Sequence, residues 1–182
     1  MQTQKLFFPS LLCACLLMLP VTAAHAEDAQ TVADRLDVLE LSSRYGWGVD
    51  AVDKAALARV FAPDAIAEYV GVGENAMALN EHLEGFEAIY GWLQKNLGQR
   101  KGTQGVPVHF VTNQIVELHG DSADLRYYMH NRWMAAGGVY HVTAIRTPVG
   151  WRIARLRLEE QTWKPEHYAK DPKANQYLKQ KP

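Results

Sequence analysis

The alternation of apolar and polar positions changes period once along this chain: before Gly98 it is mainly that of helices, and after Pro107 it is that of strands. From Thr31 to about Val49, the positions Val32, Leu36, Leu39 and Ser43, flanked by Val38, Leu41 and Tyr45, recur at helical spacing, with Thr31 as the expected N-cap. Asp53 is placed to cap a second, shorter helix in which Leu57, Val60 and Phe61 fall at i, i+3 and i+4, and Pro63-Asp64 is expected to stop it. Ala65 to Val70 reads as a short strand. Residues 71–84 carry Gly71, Gly73, Asn75 and Asn80 without a clear period, so a loop over a cavity is expected there. A third helix follows with the stripe Phe86, Ile89, Tyr90, Leu93 and Leu97, ended by Gly98 and the run Gln99-Arg100-Lys101-Gly102.

Four strands are predicted beyond Pro107: Val108 to Leu118, Ala123 to Met134, Val139 to Thr147 and Trp151 to Glu160. Turn signals separate them at His119-Gly120-Asp121, Gly137-Gly138 and Pro148-Val149-Gly150, which implies an antiparallel meander. Helices followed by a curved sheet make an α+β domain with a pocket between the two layers.

The first 26 residues have a different character. Lys5 is their only charge, Leu6 to Leu19 form an apolar stretch interrupted by Pro9, and Ala24-His25-Ala26 matches a small-x-small cleavage site. They read as a secretory leader cleaved after Ala26, which places the protein in the periplasm or outside the cell. At about 14 residues the stretch is too short for a permanent span. A lipoprotein reading through Leu12-Cys13-Ala14-Cys15 is the lesser alternative. The domain proper is then 27–163, followed at 164–182 by a polar tail rich in Lys, Gln and Pro whose end is expected to be mobile.

Removing residues 1–26 takes away Lys5 and no acidic side chain, leaving 18 basic against 20 acidic, a balance of −2. That charge does not suit a nucleic-acid surface. Both cysteines lie in the leader, so a mature exported chain has no disulfide, thiol nucleophile or cysteine metal site. Phosphate-binding glycine loops and the G-x-S-x-G elbow are missing from the sequence, which removes the commonest nucleotide and serine-hydrolase readings.

The candidate chemistry rests on Tyr45, Asp50 and His109. A carboxylate in the last turn of a helix opposes the macrodipole, at about 0.3–1 kcal/mol. Asp50 is therefore either a turn-capping residue or a residue kept for chemistry, and Asp53 already fills the cap role. Strand alternation puts His109, Val111, Asn113 and Ile115 on one face. His109 could be a structural histidine bonded to backbone or a base charged by Asp50, and Tyr45 a core aromatic or a hydrogen-bond donor. On the next strand Asp124, Arg126, Tyr128, His130 and Arg132 share one face, opposite Leu125, Tyr127, Met129, Asn131 and Trp133; neither face is wholly apolar. His109, His130 and His141 on consecutive strands could be drawn together around zinc, but none lies in a tight ligand motif, so no metal is assigned.

The pieces Ser43-Arg44-Tyr45-Gly46-Trp47-Gly48-Val49-Asp50, Leu57-Ala58-Arg59-Val60-Phe61-Ala62-Pro63-Asp64-Ala65, Val108-His109-Phe110-Val111-Thr112-Asn113, Gly138-Val139-Tyr140 and Gly150-Trp151-Arg152-Ile153 together resemble the SnoaL-like branch of the nuclear transport factor 2-like superfamily, over about residues 30–163. That resemblance implies an α+β cone, three helices against a curved antiparallel sheet with one open pocket, in a homodimer or homotrimer. Scytalone dehydratase, bile-acid 7α-dehydratase and hexachlorocyclohexane dehydrochlorinase, all cofactor-free eliminations, are such relatives. The resemblance makes Asp50 and His109 a proton-removing dyad with Tyr45 as helper. It makes His130 a second polar pocket residue that could protonate a leaving group, with His141, Asn113 and Tyr128 as further substrate-binding candidates.

The sequence thus supports a cofactor-independent lyase or isomerase acting on a small cyclic or carbonyl-bearing molecule. A non-catalytic small-molecule-binding domain of the same fold is the alternative. A third reading is an oligomeric structural subunit joined through Leu125, Tyr127, Met129 and Trp133.

Overall fold

The computed structural model describes residues 28–98 and 108–170. The leader, the signals at Gln99–Gly102 and the end of the tail, 171–182, lie outside the described residues. Helix α1 is Ala29–Ala51, α2 Lys54–Ala58 and α3 Phe86–Leu97; the strands are β1 Phe61–Gly71, β2 Asn80–Glu84, β3 His109–His119, β4 Ser122–Asn131, β5 Ala136–Thr147 and β6 Gly150–Trp163. A 3₁₀ turn, Pro165–Lys170, follows β6 and begins the tail.

Asp28, not Thr31, caps α1: its carboxylate accepts the Thr31 N–H at 2.8 Å. The buried stripe of α1 is Asp34, Val38, Leu41, Tyr45 and Val49, while Val32 and Leu36 face solvent. The apolar pattern misassigned this face because its first member is a charge. Asp34 is held inside by the Arg146 guanidinium, with Nη1 to Oδ1 at 2.7 Å, and by the Trp151 indole N–H at 3.1 Å. Those partners lie over a hundred residues away in sequence. Asp53 caps α2 as expected, accepting the Ala56 N–H at 3.0 Å. Between the helices the chain turns at Val52 in the left-handed region, at φ 50°. In the last turn of α1, Gly48 leaves room for the buried Leu57 side chain of α2, which a Cβ would approach to 2.8 Å.

One six-stranded sheet runs in the order β2-β1-β6-β5-β4-β3. The meander β3 to β6 is antiparallel, and β1 joins β6 in parallel. The turn signals spoke only of consecutive strands and so missed this pairing. Three other expectations change. Residues 80–84, read as loop, form β2 and pair with Ile66–Val70 of β1. Pro63 does not end α2 but lies in β1, within the irregular stretch between Phe61 and Ile66 where the ladder to β6 breaks and a missing N–H costs nothing. Gly137 and Gly138 are in β5 rather than a turn; the chain reverses at 132–135.

The register assigns the faces. Ala123, Leu125, Tyr127, Met129 and Asn131 of β4, Tyr140, Val142 and Ala144 of β5, and Leu156, Leu158 and Glu160 of β6 point inward under α1 and α3. Leu125, Tyr127 and Met129 therefore belong to the molecule's own core and are not available to an oligomer. In β3 the inward face switches, because between the pairs Thr112–Tyr128 and Ile115–Arg126 two residues, Asn113 and Gln114, oppose one, Tyr127. Asn113, at φ 57°, is within this bulge. His109 and Val111 point inward before it, Val116 and Leu118 after it.

Candidate functional site

Under the inner face lies a cavity of about 190 Å³, lined by the open ends of the sheet strands, by α1 and α3 and by the 72–79 loop. Its walls are mostly apolar and aromatic, including Trp92, Leu93, Met129, Trp133, Leu158 and Trp163. Met77 and Leu79 close one side, so the part of the expected loop that remains a loop does cover a cavity. The polar groups on the wall are few: Tyr45, Tyr69, Tyr140, Asn96, Asn131, His109 and Glu160.

Asp50 is 9% exposed and reaches from the end of α1 to the start of β3. Its Oδ2 accepts the backbone N–H of Val108 at 2.7 Å and of His109 at 3.1 Å, and its Oδ1 meets His109 Nδ1 at 2.6 Å. Burial pushes this carboxyl up, but the hydrogen bond and charge of His109 and the two backbone donors outweigh it, leaving Asp50 below the usual carboxylate range. An ionised Asp50 fixes the ring proton on Nδ1, so Nε2 carries the lone pair and is the nitrogen left for a ligand. Neither oxygen of Asp50 caps a helix.

Tyr45 is fully buried, edge-on to the rings of Phe61 and Tyr140, with its hydroxyl 3.1 Å from that of Tyr69. It is at once a core aromatic and a cavity-wall residue. Burial raises the ionisation of Tyr45 and Tyr69 well above that of a free phenol and pushes Tyr140 up to about 12. All three are therefore neutral phenols at ordinary pH, able to donate a hydrogen bond. Tyr69 also stacks on Trp92, with centroids 4.4 Å apart.

The remaining predicted residues lie elsewhere. His130 is on the outer sheet face, stacked on Phe110 at 5.4 Å, with Nδ1 at 3.0 Å from the Asn131 carbonyl oxygen. His141 is also outer, 3.6 Å from Glu159. Tyr128 is 53% exposed on that face, and Asn113 is exposed in the bulge. None of the four lines the cavity. The strand period groups these side chains correctly but cannot say which side of a sheet is inside. The three histidines do not converge, and among the described residues no three His, Cys, Asp or Glu side chains are arranged as metal ligands.

Sequence reasoning missed Glu160, Asn131, Tyr69 and Tyr140. A signal for Glu160 was present: Leu156, Leu158 and Glu160 alternate on one face, so a carboxylate ends an otherwise apolar row. Glu160 is 2% exposed, its Oε2 accepts the Met77 N–H, and its Oε1 has no hydrogen-bond partner among the described residues. Burial raises its ionisation above the usual range, against the opposing effect of the Met77 and Thr162 N–H groups.

The chain is similar to known proteins over most of this domain. An uncharacterised protein of Mycobacterium tuberculosis, Rv2910c, is 30% identical over 133 residues, which cover 68% of this chain and 83% of that protein. Two solved structures share the fold at lower identity. The Rv3472 protein of Mycobacterium tuberculosis, described as of unknown function, aligns with a TM-score of 0.60 at 18% identity over 86% of this chain and 90% of its own. A nuclear transport factor 2-like protein with a cystatin-like fold from Novosphingobium aromaticivorans aligns with a TM-score of 0.55 at 22% identity over 84% and 97%. The model of the SnoaL-like domain matches residues 30–157, which hold α1, the whole meander up to β6 and both members of the Asp50–His109 pair. With that match over most of its length, the chain belongs to the SnoaL-like domain family, and its fold is the nuclear transport factor 2-like, cystatin-like one.

Proposed function

We propose that the cavity takes a small, largely apolar molecule bearing a carbonyl or hydroxyl group, and that His109, oriented and charged by Asp50, removes a proton from a carbon beside that group. The protein is on this reading a cofactor-independent lyase of the dehydratase type, or an isomerase. The observation that carries it is the 2.6 Å contact between Asp50 Oδ1 and His109 Nδ1 at the wall of an apolar cavity. The family includes dehydratases and isomerases, which agrees with it.

Each residue has a task in this scheme. Asp50 holds the Nδ1 proton and stabilises the imidazolium that forms when Nε2 takes the substrate proton. Such a base is worth about 10²–10⁴ in rate. The neutral phenols of Tyr140 and of whichever of Tyr45 and Tyr69 does not donate to the other offer donors to the oxygen on which negative charge develops. Trp92, Leu93 and Leu158 hold the apolar body of the ligand.

Turnover of a panel of small hydroxylated cyclic ketones and aromatic alcohols by wild type, Asp50→Asn and His109→Ala tests this. The asparagine amide would donate to Nδ1 and force the ring proton onto Nε2, so both variants should lose about 10²–10⁴ in kcat. Undiminished turnover in both sinks the dyad. Ligand-induced change in tryptophan fluorescence without turnover by wild type would instead make the protein a binding domain. We also place the mature protein outside the cytoplasm, on the strength of residues 1–26; an N-terminus at Glu27 in protein purified from the cell envelope checks it.

A further inference from the structure

The cavity under the inner face is polar at few points, and several of those are engaged in holding its own wall. Asn96 Nδ2 donates to the Trp92 carbonyl at 2.9 Å, which ties it into the end of α3. Asn131 Oδ1 accepts the Ala135 N–H at 2.8 Å and shapes the 132–135 turn. Glu160 lies between Gly71 of β1 and Gly138 of β5. Its Oε2 accepts the Met77 N–H and its backbone oxygen the Val72 N–H at 2.8 Å, so it pins the 72–79 loop. These three residues build the wall.

The polar groups left to meet a ligand cluster together. Tyr69 of β1 and Tyr140 of β5 flank Leu158 of β6 across the sheet. Tyr45 of α1 is edge-on to Tyr140 and hydrogen-bonded to Tyr69. His109 packs on α1 beside Tyr45, since a Cβ on Gly46 would lie 3.7 Å from the His109 Cβ. The cluster thus offers the His109 Nε2 lone pair, the Tyr140 hydroxyl and the one hydroxyl proton that the Tyr45–Tyr69 bond leaves over. The rest of the lining is apolar, chiefly Trp92, Leu93 and Leu97 of α3, Met77 and Leu79 of the loop, and Trp163. Among the described residues no lysine or arginine lines the cavity, so an anion would lose its hydration there without gaining a cation.

Volume sets the other limit. The cavity holds about 190 Å³. An apolar cavity of about 150 Å³ takes benzene, whereas drug-sized ligands occupy pockets of about 300 Å³ or more. One six-membered ring with one or two substituent atoms fits, and a second fused ring does not.

We propose that the ligand of this cavity is a neutral compound with a single six-membered ring and its oxygen at one edge, the oxygen toward His109 and Tyr140 and the ring against Trp92 and Leu158. Fused-ring and anionic compounds are rejected. The inference rests on the cavity being the substrate site, as proposed above, and narrows that substrate to the class of cyclohexanones, cyclohexenols and phenols. It does not need His109 to act as a base.

Calorimetric titration with cyclohexanone, 2-decalone and cyclohexanecarboxylate compares one ring, two fused rings and one ring bearing a charge. Wild type should bind cyclohexanone at least about tenfold more tightly than 2-decalone, because a single surplus methylene in an apolar pocket already costs about 10–200-fold. A nonspecific apolar surface would prefer the larger ketone. Cyclohexanecarboxylate should not displace cyclohexanone. Leu79→Ala, which widens the wall, should remove the preference for the single ring, and Ala136→Leu, which fills the cavity from β5, should abolish cyclohexanone binding. Circular dichroism shows whether each variant folds, and either one alone suffices to test the volume. Tyr140→Phe should weaken cyclohexanone about threefold to tenfold, the loss of one neutral hydrogen bond. Wild type that binds 2-decalone as tightly as cyclohexanone, displacement by cyclohexanecarboxylate, no cyclohexanone binding at any concentration, or a Tyr140→Phe affinity equal to wild type overturns the proposal. Single-ring binding without turnover would sink the dyad and leave this ligand class standing, whereas turnover confined to fused-ring substrates would do the reverse.

Discussion

Asp50 joins the end of α1 to the first residues of β3, and removing its carboxylate should cost far more stability than neutralising it. In Asp50→Ala three donors lose their acceptor: the N–H of Val108, the N–H of His109 and the His109 ring. An unsatisfied buried donor costs about 1–3 kcal/mol. Val108 is buried and pays this in full, whereas half-buried His109 recovers part of its loss from water. The expected loss is about 3–5 kcal/mol, a large part of the 5–15 kcal/mol typical of a domain. Asp50→Asn keeps an oxygen for the backbone donors and should lose about 1–2 kcal/mol. Urea unfolding followed by far-ultraviolet circular dichroism gives both values from the midpoint, provided the slope stays constant. The pH dependence adds a sign. Asp50 ionises below its unfolded range, so its contribution is complete above about pH 4 and fades as the pH falls through the folded value. The gap between wild type and Asp50→Asn should therefore close on acidification. An Asp50→Ala loss under about 1 kcal/mol, or a gap that widens in acid, would refute the anchoring role.

Two further perturbations separate local causes. Gly138→Ala places a Cβ 2.1 Å from the Glu159 carbonyl oxygen and should lower stability by at least ~1–3 kcal/mol, while Gly91→Ala, with nothing within 4 Å of its Cβ in α3, should gain about 0.5–1 kcal/mol; melting temperatures of the pair decide it, and equal shifts would refute the close-approach reasoning. Arg146→Met should lower the melting temperature at neutral pH by stranding the buried Asp34 carboxylate, which Arg146, against the cost of burial and with help from Trp151, holds well below the usual range. That penalty should shrink below about pH 4 as Asp34 becomes protonated in the variant; melting curves recorded across pH would show a constant penalty if Asp34 were not the cause.

The elements whose signals are local were legible in the sequence. Asp53 as a cap, the stripe Ile89, Tyr90 and Leu93 of α3, and the strands after Pro107 each follow from residues within one turn or one strand. Two failures were local, the cap of α1 at Asp28 instead of Thr31 and the turn at 132–135 instead of Gly137-Gly138, and the others depended on partners distant in sequence. β2 is too short and polar to announce itself without β1, and the buried stripe of α1 begins with an aspartate whose guanidinium comes from β5. The outer placement of His130 and His141 was hidden for a related reason. Period two sorts side chains into two sets, but which set is inside depends on where α1 and α3 pack.

For the site, the sequence by itself named Asp50 and His109 as the pair to examine, since an unhelpful helix-end carboxylate and a strand histidine could be recognised one residue at a time. Only the tertiary structure decided that they touch, that Tyr45 shares its hydroxyl with Tyr69, and that Glu160 lies buried in the wall of the same cavity. Contact between α1 and β3 closes a loop of nearly sixty residues, and burial of Glu160 needs two glycines on strands that flank it only in the folded sheet. Local backbone and side-chain preferences write the elements into the sequence, whereas proximity and solvent exclusion exist only once the layers have packed.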